Sequence, residues 1–355
     1  MPHPEAAPTA SPDLRWVSVI APCRNERDHI DAFCTDALAQ QLPPGWSLEL
    51  CIADGQSDDG TRGRLQQRAA EDPRLRWIDN PGRIVSTGLN RALADSRGEV
   101  VVRMDIHTTY AADYVAAGIA ALAATGADNV GGPWRAEPAD GAAPMPTAVA
   151  AAFQSRWVAG GADSRRVDHA GEVDTVYLGC WPRDTFDRFG GFDEALVRNQ
   201  DDEHNLRIRL GGGRVWQTPT MHSRYRPRSS LRAVFRQWFQ YGYWKPFVIV
   251  KHRQPAAGRH LLVTLWGVAV ALAALAAMLG APAWPLWTLV LGYAVAVAAA
   301  TVAIGVDTGL PMAVLLRVPA VIAATHFGYG LGSWPGWWDA LRGRAGRGRF
   351  GVLTR

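Results

Sequence analysis

One stretch of the sequence, from Leu261 to Val306, contains no charged side chain. It is long enough for two membrane-spanning helices, because each span needs about 20 mostly apolar residues. Pro282 and Pro285 follow Gly280 near its middle and predict a tight break between two helices. A hairpin buried in a soluble core is the alternative, but a stretch this long and this uniformly apolar favours the membrane. We therefore expect a membrane anchor that follows a separate domain.

Basic residues crowd the approach to this stretch. Their distribution is expected for a cytoplasmic flank that faces anionic lipid, and this explains the net charge of +4 better than nucleic-acid binding does. We therefore predict an inner-membrane protein with a cytoplasmic domain, with membrane lipid as a partner and without nucleic acid as one. The basic residues are Arg224, Arg226, Arg228, Arg232, Arg236, Lys245, Lys251, Arg253 and Arg259.

A third apolar segment runs from Leu310 to Leu331, but it contains Arg317, His326 and two prolines and is a poor isolated span. A re-entrant or interfacial element here would leave two full spans and keep both ends of the chain on one side of the membrane. A third span would separate the ends. We favour the first arrangement and keep the second as its alternative.

Apolar residues recur at helical spacing before the first span, at Leu231, Val234, Phe235, Trp238 and Phe239. Arginines and glutamines lie between them, which predicts a basic amphipathic helix in the membrane interface. A surface helix packed on the soluble domain is the alternative. We thus divide the chain into a flexible tail (1–14), an α/β domain (15–225), an interfacial amphipathic region (226–260), a transmembrane hairpin plus a third re-entrant or spanning segment (261–335) and a basic tail (336–355).

The α/β domain alternates short apolar segments with helical patterns. We predict strands over 16–21, 48–53, 75–78, from residue 100 onward, 129–134 and 173–178. This spacing implies a mostly parallel sheet with right-handed crossovers and helices on its faces. Asn25, Asp54, Arg83 and Asp105 then follow the carboxyl ends of four strands, along one edge of the sheet, where open α/β sheets bind ligands.

Asp105 and His107 are the strongest metal candidates at this edge. In an extended segment, residues two apart point to the same side, so the two groups are predicted to share one cation. A capped strand end with a surface histidine is the alternative. No GxGxxG motif follows the first strand and no GxxxxGK[ST] motif occurs, which removes the dinucleotide and P-loop signatures. The four cysteines show no CxxC spacing and fit a reducing compartment.

A second polar cluster, Asn199-Gln200-Asp201-Asp202-Glu203, lies at a predicted helix start. Burying such a cluster without a purpose would be costly, which favours a functional site. A solvated helix N-terminus, where acidic residues favour the helix dipole, is the alternative.

Five motifs, in this order, resemble glycosyltransferase family 2 with the GT-A nucleotide-sugar fold, and within it the membrane-bound ExoA-like enzymes of succinoglycan biosynthesis. Each motif is weak singly, but the ordered set is specific, and the resemblance covers about residues 16–259. The motifs are Pro22-Cys-Arg-Asn-Glu26, Asp54-Gly-Gln-Ser-Asp-Asp-Gly-Thr61, Asp105-Ile-His107, Gly190-Gly-Phe-Asp-Glu194 and Gln200-Asp-Asp-Glu203.

The resemblance implies a role for each motif. It implies that Asp54 recognises uracil, that Pro22, Asn25 and Glu26 shape the base and ribose pocket, and that Arg83 lies near the diphosphate. Asp105 and His107 replace the usual Asp-x-Asp metal-diphosphate motif, and the histidine favours Mn²⁺ over Mg²⁺ as the divalent cation. The implied catalytic base is Asp201, and the implied acceptor or diphosphate side consists of Asp202, Glu203, Gln237 and Trp238.

The function implied is inverting transfer of a hexose from a UDP-sugar, most simply UDP-glucose, to a lipid-linked (polyprenyl) saccharide in exopolysaccharide or cell-surface glycan synthesis. Because the Arg-Trp pair of processive synthases is absent after Gln237, we expect addition of one or few sugars. The alternative is a membrane-tethered, non-catalytic protein that binds a sugar nucleotide or serves as a scaffold in glycan assembly.

Overall fold

The computed structural model describes residues 15–138 and 141–344, so the predicted tail at 1–14 and most of the basic tail lie outside the described residues. The described part contains an eight-stranded sheet and a separate two-stranded one. The strands are β1 (Arg15–Cys23), β2 (Trp46–Asp54), β3 (Leu75–Asp79), β4 (Val100–Arg103), β5 (Thr108–Tyr110), β6 (Asn129–Gly132), β7 (Gly171–Glu172), β8 (Tyr177–Pro182), β9 (Val215–Gln217) and β10 (Ser223–Tyr225).

Helices cover both faces of the sheet and continue into the apolar carboxyl-terminal region. They are α1 (Ile30–Leu38), α2 (Thr61–Glu71), α3 (Val85–Asp95), α4 (Tyr114–Thr125), α5 (Pro144–Gln154), α6 (Asp184–Phe189), α7 (Gln200–Leu210), α8 (Leu231–His252), α9 (Arg259–Met278), α10 (Trp284–Thr308), α11 (Met312–Leu315) and α12 (Val318–Leu341), with one 3₁₀ turn at Asp163–Arg165.

The large sheet has the order β3-β2-β1-β4-β8-β6-β9-β7. Strands β3, β2, β1 and β4 are parallel, whereas β8 is antiparallel to both of its neighbours. The mostly parallel, mixed sheet with flanking helices confirms the predicted GT-A-like fold class. Because the four parallel strands run in the same direction, their carboxyl ends lie along one edge, as predicted.

One predicted strand is displaced. The sequence pattern indicated a strand over 173–178, but β8 spans Tyr177–Pro182 and pairs Cys180 with both β4 and β6. Leu178 and Gly179 have φ angles of 64° and 131°, so the backbone is irregular where the strand begins. Buried Cys180 and Trp181 then fill the centre of the sheet, which the apolar pattern upstream did not indicate.

Helix α8 is longer than the apolar pattern alone indicated, with 22 residues. Its second half belongs to the core of the α/β domain, because Tyr243, Trp244 and Val248 pack with Leu196 and Leu206. The first half packs against α5 and the first turns of α12 through Val234. The helix therefore connects the α/β domain to the apolar region along its whole length.

Helix α12 lies directly against α8 through glycines. Side chains at Gly328, Gly332 and Gly336 would overlap the carbonyl oxygens of α8, and a side chain at Gly242 would overlap that of Tyr329. The contacts pair Gly328 with residue 235, Gly332 with residue 239 and Gly336 with residue 243, so the two helices run in the same direction. Small residues permit this backbone approach, as they do between membrane helices.

By length and composition, three segments of the described chain can cross a membrane: α9, α10 and Met312–Leu341. The break between α9 and α10 falls at 279–283, with Pro285 in the first turn of α10, as the proline and glycine pattern predicted. The third apolar segment ends in one continuous helix of 24 residues, α12, which reaches Leu341. The boundary predicted at residue 335 therefore lies inside a helix.

The glycine contact provides a stability test. In Gly332→Ala, the new methyl group overlaps the Phe239 carbonyl oxygen and forces α8 and α12 apart. We expect the unfolding free energy to fall by about 1–3 kcal/mol, the usual range for overpacking a tight contact. Thermal unfolding of the detergent-solubilised protein measures this. Gly292→Ala is the control, since nothing lies within 4 Å of a Cβ there, and equal melting temperatures for the two variants would contradict the close packing.

Candidate active site

Hydrogen bonds join the loops that follow the parallel strands. The backbone nitrogen of Asn25 donates to Ser57 Oγ at 2.8 Å. The Asn25 amide exchanges hydrogen bonds with Asp58, at 3.0 and 3.1 Å. Arg83 Nε donates to Gln56 Oε1 at 2.6 Å, and its guanidinium is exposed at the edge of the sheet. Asn25, Gln56 and Arg83 all have positive φ angles, which residues in helices and strands do not adopt. The loops after β1, β2 and β3 thus form one polar edge.

Asp54 lies at this edge but is completely buried. Its carboxylate accepts hydrogen bonds from the backbone nitrogen and hydroxyl of Ser57, at 3.1 and 2.5 Å, and lies 3.4 Å from Arg62 Nε. Both oxygens therefore have partners within the protein, and the implied contact with uracil stays a prediction. Asp54 orders the loop over 54–61. Pro22, half-buried in β1, pairs with Ala53 beside it.

Glu26 joins the first loop to the fourth. Its backbone nitrogen donates to Thr61 Oγ1 at 2.9 Å, and its carboxylate lies 3.2 Å from His107 Nδ1. Partial desolvation lowers the pKa of His107, the negative charge of Asp105 opposes this change, and the positive charge of Arg228 adds to it. The pKa of His107 is therefore held below its ordinary value of 6.5, and Glu26 is its nearest carboxylate partner.

Arg103 is a functional candidate that the sequence analysis missed. It is 5% exposed, and its Nε and Nη2 donate to the two oxygens of Asp105 at 2.9 and 3.0 Å. Its Nη1 lies 4.0 Å from Asp201 Oδ2. An arginine at the end of the apolar strand 100–103 was the available signal, since a guanidinium is rarely buried without paired anions. Arg103 brings the implied diphosphate residue and the implied base together.

The predicted cation pair does not form. β4 ends at Arg103. A turn, closed by a hydrogen bond from the backbone nitrogen of Thr108 to the backbone carbonyl of Asp105, replaces the extended segment that the prediction assumed. Both oxygens of Asp105 bind Arg103, and His107 faces Glu26. Among the described residues, no group of three or more His, Cys, Asp or Glu side chains is placed to hold a metal ion. These side chains therefore do not fit a cation held by the protein alone.

The acidic residues at the start of α7 have three different environments. Asp201 is partly exposed, with 37% of its side chain accessible, and it accepts a hydrogen bond from the backbone nitrogen of Asp202. Asp202 forms an ion pair with buried Lys245 of α8. Glu203 has no exposure at all. Of the three carboxylates, that of Asp201 is the most accessible to a substrate.

Glu203 connects α7 to α8. Its carboxylate accepts hydrogen bonds from Arg207 at 2.7 Å, Lys251 at 2.9 Å and His252 at 2.8 Å. Burial opposes ionisation, but these hydrogen bonds and the charge of Arg207 lower the pKa of Glu203 to about 2. Glu203 is therefore an anchor between helices, and its implied place on the acceptor side stays a prediction.

Gln237 and Trp238 point into different surroundings. Gln237 Nε2 donates to Tyr225 Oη at 3.3 Å, and its Oε1 is buried without a hydrogen-bond partner among the described residues. Trp238 packs against Phe153 of α5 and Tyr329 of α12. Only Gln237 is thus placed toward the polar surface, and Trp238 supports the packing of α8.

A mostly parallel sheet with an ordered polar edge, and a partly exposed carboxylate from a separate helix beside that edge, are typical of a ligand-binding site in an α/β enzyme. Comparison with known proteins gives the family. Residues 18–160 match glycosyl transferase family 2. The succinoglycan biosynthesis protein ExoA of Rhizobium meliloti is 34% identical over 277 residues, which cover 75% of this chain and 78% of that protein. The chain therefore belongs to glycosyltransferase family 2, as its motifs predicted, and it is an enzyme.

Two further similarities are more distant. Glycosyltransferase AglE of Haloferax volcanii is 28% identical over 120 residues, 34% of this chain and 39% of that protein. The structure of mannosyltransferase PcManGT from Pyrobaculum calidifontis, in complex with GDP-Man and Mn²⁺, matches with a TM-score of 0.55 at 21% identity and covers 92% of this chain and 86% of that one. This structural similarity concerns the fold.

Glu203 provides a pH test of the link between α7 and α8. Because its pKa in the folded state is about 2, below its ordinary value of 4.5, it stabilises the fold above pH 4.5, and this stabilisation is lost as the pH falls toward 2. The shift corresponds to about 3 kcal/mol. We expect Glu203→Gln to lower the unfolding free energy by about this amount at pH 7, and the difference from wild type to shrink below pH 4.5.

The control for this test is Glu99→Gln. Glu99 pairs with Arg15, but both side chains are about half exposed, and exposed pairs contribute less than about 1 kcal/mol. Thermal unfolding in detergent between pH 3 and 8 compares the two variants. If the loss of unfolding free energy in Glu203→Gln does not change with pH, packing and not the charge of Glu203 holds the two helices together.

Proposed function

We propose that this enzyme transfers a single hexose from a UDP-sugar, with UDP-glucose as the first candidate, to a lipid-linked saccharide during exopolysaccharide synthesis, with inversion at the anomeric carbon. The observation that carries the proposal is the placement of Asp201. Its accessible carboxylate lies 4.0 Å from Arg103, whose other nitrogens hold Asp105 at the nucleotide edge. This link through one buried guanidinium supports a base and a donor site that lie side by side.

The proposed reaction is a single displacement. The acceptor hydroxyl gives its proton to Asp201 as its oxygen attacks the anomeric carbon of the donor, and the bond from that carbon to the diphosphate oxygen breaks. The electron pair of that bond leaves with the nucleoside diphosphate. Arg83 is exposed at the edge of the sheet and supplies positive charge for the leaving group. Arg103 acts through the carboxylates as a positioning residue.

A divalent cation, when bound, would add charge stabilisation to the leaving diphosphate. Binding at Asp105 would require that carboxylate to exchange Arg103 for the metal. Because imidazole binds Mn²⁺ better than Mg²⁺, His107 favours Mn²⁺ as the ion that would compete with Arg103 for Asp105. Comparison of activity with Mn²⁺, Mg²⁺ and EDTA therefore measures metal dependence.

Two observations support a lipid-linked acceptor in exopolysaccharide synthesis. The relative with 34% identity is a succinoglycan biosynthesis protein. The α/β domain is connected to three helices that are long and apolar enough to cross a membrane. An acceptor carried by a lipid would meet the active site at the membrane surface, where α8 joins both parts of the chain.

Replacement of the proposed base tests the reaction. We expect Asp201→Asn to lower kcat by at least about 100-fold, because an amide cannot accept the proton, while the affinity for UDP changes less than two-fold. Mass spectrometry of lipid-linked products identifies the added sugar, from membranes supplied with UDP- and GDP-sugars and Mn²⁺, Mg²⁺ or EDTA. Asp187→Asn, at an exposed position on α6, is the control.

Each result of this assay has a distinct meaning. One hexose added by wild type and by Asp187→Asn, but not by Asp201→Asn, supports the proposed reaction. Equal loss of UDP binding and transfer in Asp201→Asn would assign Asp201 a structural role. Absence of product from wild type with every donor and metal would favour a binding or scaffold role for this member of the family.

We also propose that α12 lies in the membrane interface and that only α9 and α10 cross. α8 is part of the core of the α/β domain, and α12 runs beside it from Gly328 to Gly336. α12 also donates from His326 to the carbonyl of Val158 in that domain. The exposed side of α12 carries Phe327, Leu331, Trp334, Trp338 and Leu341, a pattern typical of a helix at the interface.

This arrangement predicts which residues are accessible from outside the cell. Single cysteines replace Ala281, between α9 and α10, and Arg344, after α12; the native cysteines are all buried. We expect a membrane-impermeant maleimide to label Ala281→Cys in intact spheroplasts and Arg344→Cys only after permeabilisation. Labelling of both positions in intact spheroplasts would instead mean that α12 crosses.

A further inference from the structure

A groove of about 440 Å³ lies along the first half of α8. Four arginines line it, Arg198 from the loop before α7, Arg228 from the segment before α8, and Arg232 and Arg236 from α8 itself. Phe235 and Phe239 contribute apolar surface. The spacing of four between Arg232 and Arg236 brings their side chains to one face of α8.

The arginines in this groove have no carboxylate partner in the described part of the chain. Among the described residues, none of the four forms an ion pair with a carboxylate, whereas Arg103, Arg207 and Arg259 elsewhere in the chain are paired. Arg198 Nε donates instead to the neutral Gln240 Oε1 at 3.2 Å. Four guanidinium groups around one concave surface repel one another, and a ligand with several phosphate oxygens would relieve that repulsion through paired hydrogen bonds.

The residues that line the groove connect it to the proposed base and to α12. Arg198 is separated from Asp201 by only two residues in the chain, and the positive charge of Arg228 lowers the pKa of His107. The backbone of Phe235 and Phe239 lies against Gly328 and Gly332 of α12. The groove therefore lies on α8 beside the helix proposed to face lipid, and one of its arginines is close in sequence to Asp201.

Gln237 lines the same groove and provides an acceptor of hydrogen bonds. The residue is 9% exposed, and its Oε1 has no hydrogen-bond partner among the described residues, while its Nε2 donates to Tyr225. An oxygen in this state suits a sugar hydroxyl, because a buried acceptor without a partner is costly. The groove therefore offers both positive charge and a polar contact for a sugar.

We propose that the groove of Arg198, Arg228, Arg232 and Arg236 binds the diphosphate of an isoprenoid diphosphate-linked saccharide, with the lipid toward α12 and the sugar toward Asp201. This inference rests on the proposed function, which it deepens by locating the acceptor. The nucleotide diphosphate has a separate place, at the edge formed by the loops after β1 to β4. An ordinary phospholipid phosphate carries one negative charge and engages fewer of the four arginines than a diphosphate does.

The test measures binding of farnesyl diphosphate to the full chain in phosphatidylcholine nanodiscs. We expect Arg232→Gln/Arg236→Gln to weaken this binding at least 10-fold and to change UDP affinity less than two-fold. Arg224→Gln/Arg226→Gln removes the same charge from exposed positions of the preceding segment that do not line the groove, and should match wild type. The single variants Arg232→Gln and Arg236→Gln give intermediate losses and serve if the double variant is unstable.

The control arms separate other anions from the proposed ligand. Phosphatidylglycerol nanodiscs test for a general anionic surface, and inorganic pyrophosphate tests for the diphosphate without its lipid. Equal weakening in both double variants, equal competition by phosphatidylglycerol, or unchanged binding of farnesyl diphosphate in Arg232→Gln/Arg236→Gln would each overturn the proposal.

The two proposals also fail differently. If farnesyl diphosphate binding needs Arg232 and Arg236 but the enzyme adds no sugar to a lipid-linked saccharide, the proposed binding groove stands and the proposed reaction is rejected. Transfer to a lipid-linked saccharide with an unchanged acceptor KM in Arg232→Gln/Arg236→Gln would keep the reaction and reject the groove.

Discussion

The backbone contact between α8 and α12 determines how the rest of the molecule is arranged. Because glycines at 242, 328, 332 and 336 remove the side chains that would separate the helices, α12 follows the direction of a helix that belongs to the catalytic domain. The same α8 provides Lys245 to Asp202 and Lys251 and His252 to Glu203. The start of α7, which carries Asp201, is therefore tied to the apolar region through buried charges.

Buried charge also organises the edge of the sheet. Arg103 has little contact with water, so its charge depends on Asp105 and Asp201, and these carboxylates depend in turn on Arg103 for their position. Removing one member of such a group leaves the others unpaired at a high cost. The groove arginines on α8 present the opposite case, since neither Arg232 nor Arg236 forms an ion pair with a carboxylate among residues 15–138 and 141–344. The first group has the character of a fixed scaffold, and the second is the binding surface proposed above.

The sequence predicted the parallel half of the sheet, the polar edge and the break between α9 and α10, because each depends on local patterns. Strands β1 to β4 are apolar segments with polar residues after them, and the break follows from Gly280 and the nearby prolines. It did not predict the pairing of Asp105 with Arg103, because the pairing depends on a turn at 105–108 that the apolar pattern does not encode. The burial of Glu203 depends on residues about 48 positions away, which spacing alone cannot supply. The start of β8 was misplaced because Val173 and Val176 are buried without forming a strand.

The small sheet of β5 and β10 has a consequence for the acceptor. Thr108–Tyr110, just after Asp105, pairs with Ser223–Tyr225, just before the segment that enters α8. The loop that carries Asp105 and the segment that enters α8 are therefore linked by a paired ladder. In the proposed reaction, this link would keep the site of transfer at a fixed distance from α8, and only a saccharide whose end reaches that distance would present its hydroxyl.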